Sequence, residues 1–331
     1  MPTSLVNPAA GSDTAIVQHK LRHSSHPAGN DLRYCCRVNI NIDIGVIGGS
    51  GIYALDEIDN PRQVKVKTPY GDPSAPLICG LLNGRSIAFI ARHGEGHRIA
   101  PANIPARANI YALKSLGARM VISCSAVGSL REDYRPGDLV VPDQIVDRTN
   151  GMRPASFFDA GIVVHVPFGD PYCDYLRRAL TAAARDITSA SVHESGTYCC
   201  MEGPQFSTRA ESNLYRSWGM DIIGMTALPE AKLAREAELC FAALALVTDY
   251  DCWRAGEEAV TATTVAEVMS RNAANAKLTV GRLVDTVDIA RTCACHETLA
   301  SSIITSLEAV PLVVRSELAL FTDKYIPSGR A

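Results

Sequence analysis

No apolar run in this chain reaches the roughly 18–20 residues of a membrane-spanning helix, so a transmembrane reading has no segment to rest on. No long block of lysine and arginine occurs either. The formal net charge is −3, and without a basic block a nucleic-acid partner is not expected. The first forty residues lack the apolar stretch of a secretory signal and mix Pro, Ser, Gly, His and Asn without period. They also carry Asp13 and Asp31 and lack a strong arginine-rich amphipathic pattern, which argues against a transit peptide. Residues 1–41 are therefore expected to be a disordered extension. Eleven cysteines would suggest disulfides in a small secreted chain. Scattered through a large chain without a signal, they are expected to be buried thiols in a cytoplasmic protein. Their densest group outside the tail, Cys293-Ala-Cys295-His296, offers too few ligands at regular spacing for a metal, and no metal site is expected.

What is present is an alternation of short apolar runs and amphipathic segments. Of the 331 residues 47% are apolar, enough for a sizeable core. From residue 42, "IDIGVIG", "VKVKT", "SIAFIA", "RMVISCS", "DLVVPDQIV", "DIIGM" and "CFAALALV" read as strands. "IPARANIYALKSLG", "STRAESNLYRSWG" and "LPEAKLAREAEL" read as helices, the first two closed by glycine. This pattern predicts an α/β fold, a single domain over 42–290 with a mixed central β-sheet flanked by helices. Residues 291–331 carry no usable motif and are expected to be a helical extension whose role the sequence leaves open between a final core helix and an interface element.

In such sheets the loops at the carboxyl ends of strands line the ligand crevice. The first, "GVIGGSG", has glycines at 45, 48, 49 and 51, a spacing that departs from the dinucleotide GxGxxG. Its glycines admit an anion close to the backbone, and Ser50 adds a hydroxyl. "SIAFIA" ends in Arg92-His93, "RMVISC" in Ser125-Ala126, and "DIIG" in Met225-Thr226. Each alone is bland: a tight turn, a surface ion pair, a small loop. Together they would make an oxyanion site built from donors. "LALVTDYDCW" then delivers Asp249 and Asp251 at one strand tip. Helix capping accounts for one such aspartate but less well for two flanking Tyr250. An anion site beside two carboxylates suits a substrate with a negative part and a part that offers N–H groups or needs a proton.

The segments "IGVIGGSGIY", "ARHGEGHRIAPANIPARANIYALKSLG", "GSLREDYRPGDLVVPDQIVDRT", "MEGPQFSTRAES", "GMTALPEAKLAREAELCFA" and "VTDYDCW" together resemble the trimeric purine nucleoside phosphorylases. They are most similar to the methylthioadenosine phosphorylase branch, over about residues 43–285. The resemblance implies phosphorolysis of 5′-methylthioadenosine to adenine and 5-methylthioribose 1-phosphate. Inorganic phosphate is then a co-substrate and no cofactor is called for. It also implies a homotrimer with active sites near subunit interfaces. By motif, Ser50, Arg92, His93, Ser125, Ala126 and Thr226 match the phosphate site, with Ala126 extending toward the base. Met225 matches the residue under the ribose, and Phe206, Ser207, Asp249, Tyr250 and Asp251 match the surroundings of the base. Asp249 would be the catalytic acid at purine N7, and Asp251 the reader of the 6-amino group. His165 matches a residue that reaches a neighbouring subunit's 5′ pocket, and Ala262 and Val265 match positions near the 5′-alkylthio group. The rival readings are a broader purine nucleoside phosphorylase, a nucleosidase that uses water, and a non-catalytic nucleoside-binding protein.

Overall fold

The computed structural model describes residues 14–18, 40–49, 52, 57–254 and 262–326. At its centre four short apolar segments pair in parallel: β2 (Ile44–Gly48), β5 (Arg85–Ala91), β6 (Met120–Ser129) and β12 (Cys240–Asp249). β12 is buried along nearly its whole length, which is why it reads as an unbroken apolar run rather than an alternation. Antiparallel β3 (Asp59–Lys67) and β4 (Leu77–Leu82) extend the sheet beyond β5. On the other side the end of β6 pairs antiparallel with β11 (Ile222–Gly224), followed by parallel β10 (Thr197–Met201) and β8 (Gln144–Arg148). Short β7 (Leu139–Val140) and β9 (Val192–His193) complete a mixed sheet beside β12.

Helices cover both faces, as the alternating sequence predicts. One layer holds α1 (Ala106–Ser115) and α4 (Ala227–Glu236), whose Ile110, Leu113, Ala231 and Leu233 join the core. The other holds α2 (Asp174–Ile187) and α5 (Ala262–Thr286), through Leu176, Leu180, Met269 and Leu283. A further helix, α3 (Arg209–Ser217), starts at a capping box in which the Thr208 hydroxyl and the Glu211 carboxylate each accept from the other residue's backbone N–H. Among the described residues no helix is long and apolar enough to cross a membrane.

One expectation for the ends of the chain needs amendment, and one open alternative is decided. Thr14–Gln18 forms β1, parallel to β3, where the sequence was read as unstructured over 1–41. Three of the five residues TAIVQ are β-branched, and the outer edge of β3 leaves backbone groups open to strand addition. The stretch after residue 290 contributes to the core, one of the two roles left open for it. A 3₁₀ turn (Ala294–Ser301), α6 (Leu312–Glu317) and α7 (Ala319–Thr322) place Leu299, Val310, Leu318, Phe321 and Ile326 in the main core. Phe321 stacks on Phe157 at 4.4 Å and meets Tyr111 edge-on.

Candidate active site

The parallel strands share one polarity, so the residues after Ala91 and the ends of β6 and β12 come together. With the β11–α4 junction and the loop after β10 they enclose a cavity of about 490 Å³.

Arg92 follows directly on β5 and is fully buried. Its Nε donates to Glu230 Oε1 at 2.6 Å, and its Nη2 to Ser123 Oγ at 2.6 Å and Glu230 Oε2 at 3.2 Å. Nη1 donates to the Cys124 carbonyl at 2.8 Å. A guanidinium has five N–H groups, so one Nη1 proton has no acceptor among the described residues. Burial works against the charge, and the Glu230 carboxylate more than offsets it. Gly49 makes this approach possible: a Cβ there would stand 2.5 Å from Nη1 and 2.7 Å from the Cys124 oxygen.

His93 is next. Its Nδ1 lies 2.8 Å from the Ile99 carbonyl, which can only accept, so Nδ1 carries the proton. Burial, with Arg92 and His97 adding to it against the Ile99 hydrogen bond, pushes the imidazole down to about 4. The ring is therefore neutral at pH 7 and Nε2 is an acceptor. Ser125 and Thr226 supply buried hydroxyls. Thr226 stands at the N-cap of α4 but makes no capping bond with its side chain, so that hydroxyl is not spent on the helix. Among the described residues the anion end is thus more mixed than the sequence suggested: two hydroxyls and one guanidinium N–H, beside a lone pair on His93. Arg98 adds an exposed guanidinium at the mouth, with its Nε donating to the Glu95 carbonyl.

At the opposite end a β-bulge between Val247 and Asp249 shifts the register of β12 and sets Asp249 against Gly128 of β6. A side chain at 128 would not fit, because a Cβ would come within 2.9 Å of Asp249 Oδ1 and 3.4 Å of Asp251 Cβ. Asp251 has φ +52°, a left-handed conformation that aspartate tolerates, and its N–H donates to Asp249 Oδ1 at 2.8 Å. The Thr248 hydroxyl lies 2.6 Å from Asp249 Oδ2 and 3.1 Å from the Val127 carbonyl. One hydroxyl proton cannot serve both acceptors. With a proton on Asp249 Oδ2, the acid donates to Thr248 and Thr248 donates to Val127, so both contacts are satisfied. The geometry therefore accommodates Asp249 as a carboxylic acid. Asp251 is buried, and its Oδ2 has no hydrogen-bond partner among the described residues. Burial pushes its carboxyl up, only partly opposed by the Ser212 and Ser207 hydroxyls and the Cys252 backbone.

Between the two ends the wall is apolar, formed by Ala126, Val127, Met201, Ile223, Met225 and half-exposed Phe206. Buried Arg153 holds this wall in place. It donates to Glu202 Oε1 and to the carbonyls of Met201, Glu202, Met225 and Leu228.

The sequence profile of the phosphorylase superfamily matches residues 43–285. The chain belongs to the phosphorylase superfamily. It is 53% identical over 282 residues to the S-methyl-5′-thioadenosine phosphorylase of Chloroflexus aurantiacus, covering 85% of this chain and 98% of that one. It is 50% identical over 289 residues to the enzyme of the same name from Koribacter versatilis, covering 87% and 98%. Among solved structures, a methylthioadenosine phosphorylase from an antarctic soil metagenomic library superposes with a TM-score of 0.80 at 46% identity, over 85% of this chain and 99% of that one. Methylthioadenosine phosphorylase from Schistosoma mansoni in complex with adenine gives 0.74 at 35%, over 80% and 99%.

Within this phosphorylase, nine of the residues singled out from sequence line one cavity: Arg92, His93, Ser125, Ala126, Phe206, Met225, Thr226, Asp249 and Asp251. Tyr250 does not. It points to the other side of the strand tip and packs edge-on against Trp253 in a small core with Tyr215 and Met220. Ser207 stands behind the wall, its hydroxyl donating to Met201 Sδ at 3.6 Å. His165 is exposed and lies outside the cavity of its own chain. Ser50 lies outside the described residues, as do the side chains of Ala262 and Val265, whose backbone belongs to α5. The sequence reading missed Glu230, Ser123 and Arg153, which hold the site without forming a local motif.

Proposed function

We propose that this chain is an S-methyl-5′-thioadenosine phosphorylase, which uses inorganic phosphate to release adenine and 5-methylthioribose 1-phosphate. The observation that carries this reading is the base end of the cavity. Asp251 Oδ2 is a buried carboxyl oxygen without a partner among the described residues, beside an Asp249 placed to hold a proton. An unpartnered buried acceptor is costly and is satisfied by a donor on the ligand. The 6-amino group of adenine is such a donor, whereas a 6-oxopurine presents a carbonyl there.

The chemistry follows from the two ends. Phosphate, held by the Arg92 Nη1 proton and the Ser125 and Thr226 hydroxyls, attacks the anomeric carbon from the face opposite the base. A C–O bond forms, the C–N9 bond breaks, and the electron pair passes into the purine. Asp249 donates its proton at N7, and configuration inverts. The neutral His93 accepts an O–H from the phosphate or the sugar. The apolar wall suits a methylthio group better than a solvated hydroxyl. No organic cofactor is called for.

Asp251→Asn tests the assignment of the base. An amide can donate to a carbonyl where a carboxylate cannot. The ratio of kcat/KM for methylthioadenosine over inosine should fall by roughly 10–100-fold. An unchanged ratio would remove Asp251 as the reader of the base.

We further propose a homotrimer in the cytoplasm. Val163 and Ile304 are exposed apolar residues on two segments joined by backbone bonds, and His165 sits beside them. That strip suits a subunit contact that would carry His165 toward a neighbour's site. The nine free cysteines among the described residues fit a reducing compartment. Light scattering should return about three chain masses, and a monomer at assay concentration would contradict the assembly. Recovery of the native protein outside the cytoplasmic fraction would contradict the compartment.

A further inference from the structure

Remote from the active-site cavity, four cysteines converge. Cys173 stands at the N-terminus of α2, Cys240 opens β12, and Cys293 and Cys295 flank the start of the C-terminal 3₁₀ turn. Their four Sγ atoms lie within 4.8 Å of one another, and three of the four residues are buried. We propose that this cluster is a structural zinc site.

The spacing favours a metal over disulfides. Zn–S bonds of about 2.3 Å in a tetrahedron require sulfur–sulfur edges of about 3.8 Å. Cys173 and Cys293 Sγ are 3.7 Å apart, far beyond the roughly 2.05 Å of a disulfide. All four cysteines are free thiols. Binding needs no oxidant: Zn²⁺ replaces the thiol protons, four Zn–S bonds form, and four protons leave to solvent.

A second observation supports it. Arg119 Nη2 lies 3.2 Å from His296 Nδ1, and a guanidinium only donates, so Nδ1 is the acceptor. In the neutral ring the proton is then on Nε2, which lies 3.5 Å from Cys240 Sγ and 3.4 Å from the Arg119 carbonyl. An N–H aimed at a sulfur is the outer-shell contact that stabilises a metal-bound thiolate. Arg119 also places positive charge near a centre whose net charge would be −2.

The proposal departs from the expectation of no metal site. The sequence displays only Cys293, Cys295 and His296 together, and the fold supplies Cys173 and Cys240 from distant segments. Four sulfurs leave no open position, so the role is structural: zinc would tie the C-terminal segment, with its core residues Leu299 and Phe321, to α2 and β12. Cys240 and Asp249 stand at opposite ends of one strand, roughly 30 Å apart. Catalysis should not depend directly on the metal.

The test uses the full chain, purified without chelator or immobilised metal. Elemental analysis should find about one zinc per chain, released when a mercurial titrates the thiols. The double variant Cys293→Ser/Cys295→Ser should lose the zinc and melt earlier, with kcat/KM for methylthioadenosine unchanged at temperatures where it stays folded. If that variant does not fold, cobalt substitution of the wild type decides, through a thiolate-to-cobalt charge-transfer band and tetrahedral d–d bands. Four titratable thiols without metal, two disulfides by intact mass, or zinc retained by the double variant would each overturn the proposal.

Discussion

Asp249→Asn should lower kcat for methylthioadenosine phosphorolysis by roughly 10²–10⁴-fold while leaving the melting temperature close to wild type. The two halves of this expectation come from the same contacts. Asparagine keeps an acceptor for the Asp251 N–H, and its amide N–H can donate to Thr248 Oγ1, so the hydrogen bonds at 2.8 and 2.6 Å survive. What disappears is the proton that the purine must receive as C–N9 breaks. KM should change little, because the loss falls on an interaction made in the transition state. Turnover within a few-fold of wild type would show that adenine leaves without help from this residue.

Glu230→Ala should be severely destabilising, by about 3–5 kcal/mol, a fall in melting temperature of roughly 5–15 °C. Glu230 and Arg92 are both buried, and the glutamate accepts from Nε, Nη2 and Ser123 Oγ. Removing the carboxylate leaves a guanidinium uncompensated at the core's centre. It also frees Nη1 from its fixed direction, so the KM for phosphate should rise in whatever folded protein remains. The double variant Arg92→Ala/Glu230→Ala should recover part of the stability but not the activity, since no lone charge is left buried. If Glu230→Ala melts within about 2 °C of wild type, the pair is not held as described. Arg92 alone is therefore a poor probe of phosphate binding, because its replacement disturbs fold and site together.

Much of this arrangement was legible in the chain. Short apolar runs alternating with amphipathic segments gave the sheet and its two helical layers, and small or charged residues after the runs marked the cavity. The fate of Tyr250 was not legible, because β12 ends at Asp249 and the left-handed turn at Asp251 decides which side each residue takes. The rest depends on contacts that span the chain. Glu230 lies 138 residues after Arg92, and no local pattern announces that it takes two of that guanidinium's five N–H groups. His93 reads as a cation candidate until burial and the Ile99 carbonyl fix its proton. Cys173 and Cys293 are 120 positions apart. The role of the C-terminal stretch stayed open because its elements are too short to show a period, and contacts such as those of Phe321 place it in the core.

The central claim is that this cavity breaks a purine–sugar bond with phosphate as the nucleophile. Adenine release from methylthioadenosine, followed with phosphate varied and with phosphate omitted, tests it directly. The account predicts a rate that saturates in phosphate, 5-methylthioribose 1-phosphate formed in step with adenine, and no release when phosphate is absent. Release at the same rate without phosphate, or no turnover of methylthioadenosine in its presence, would contradict it.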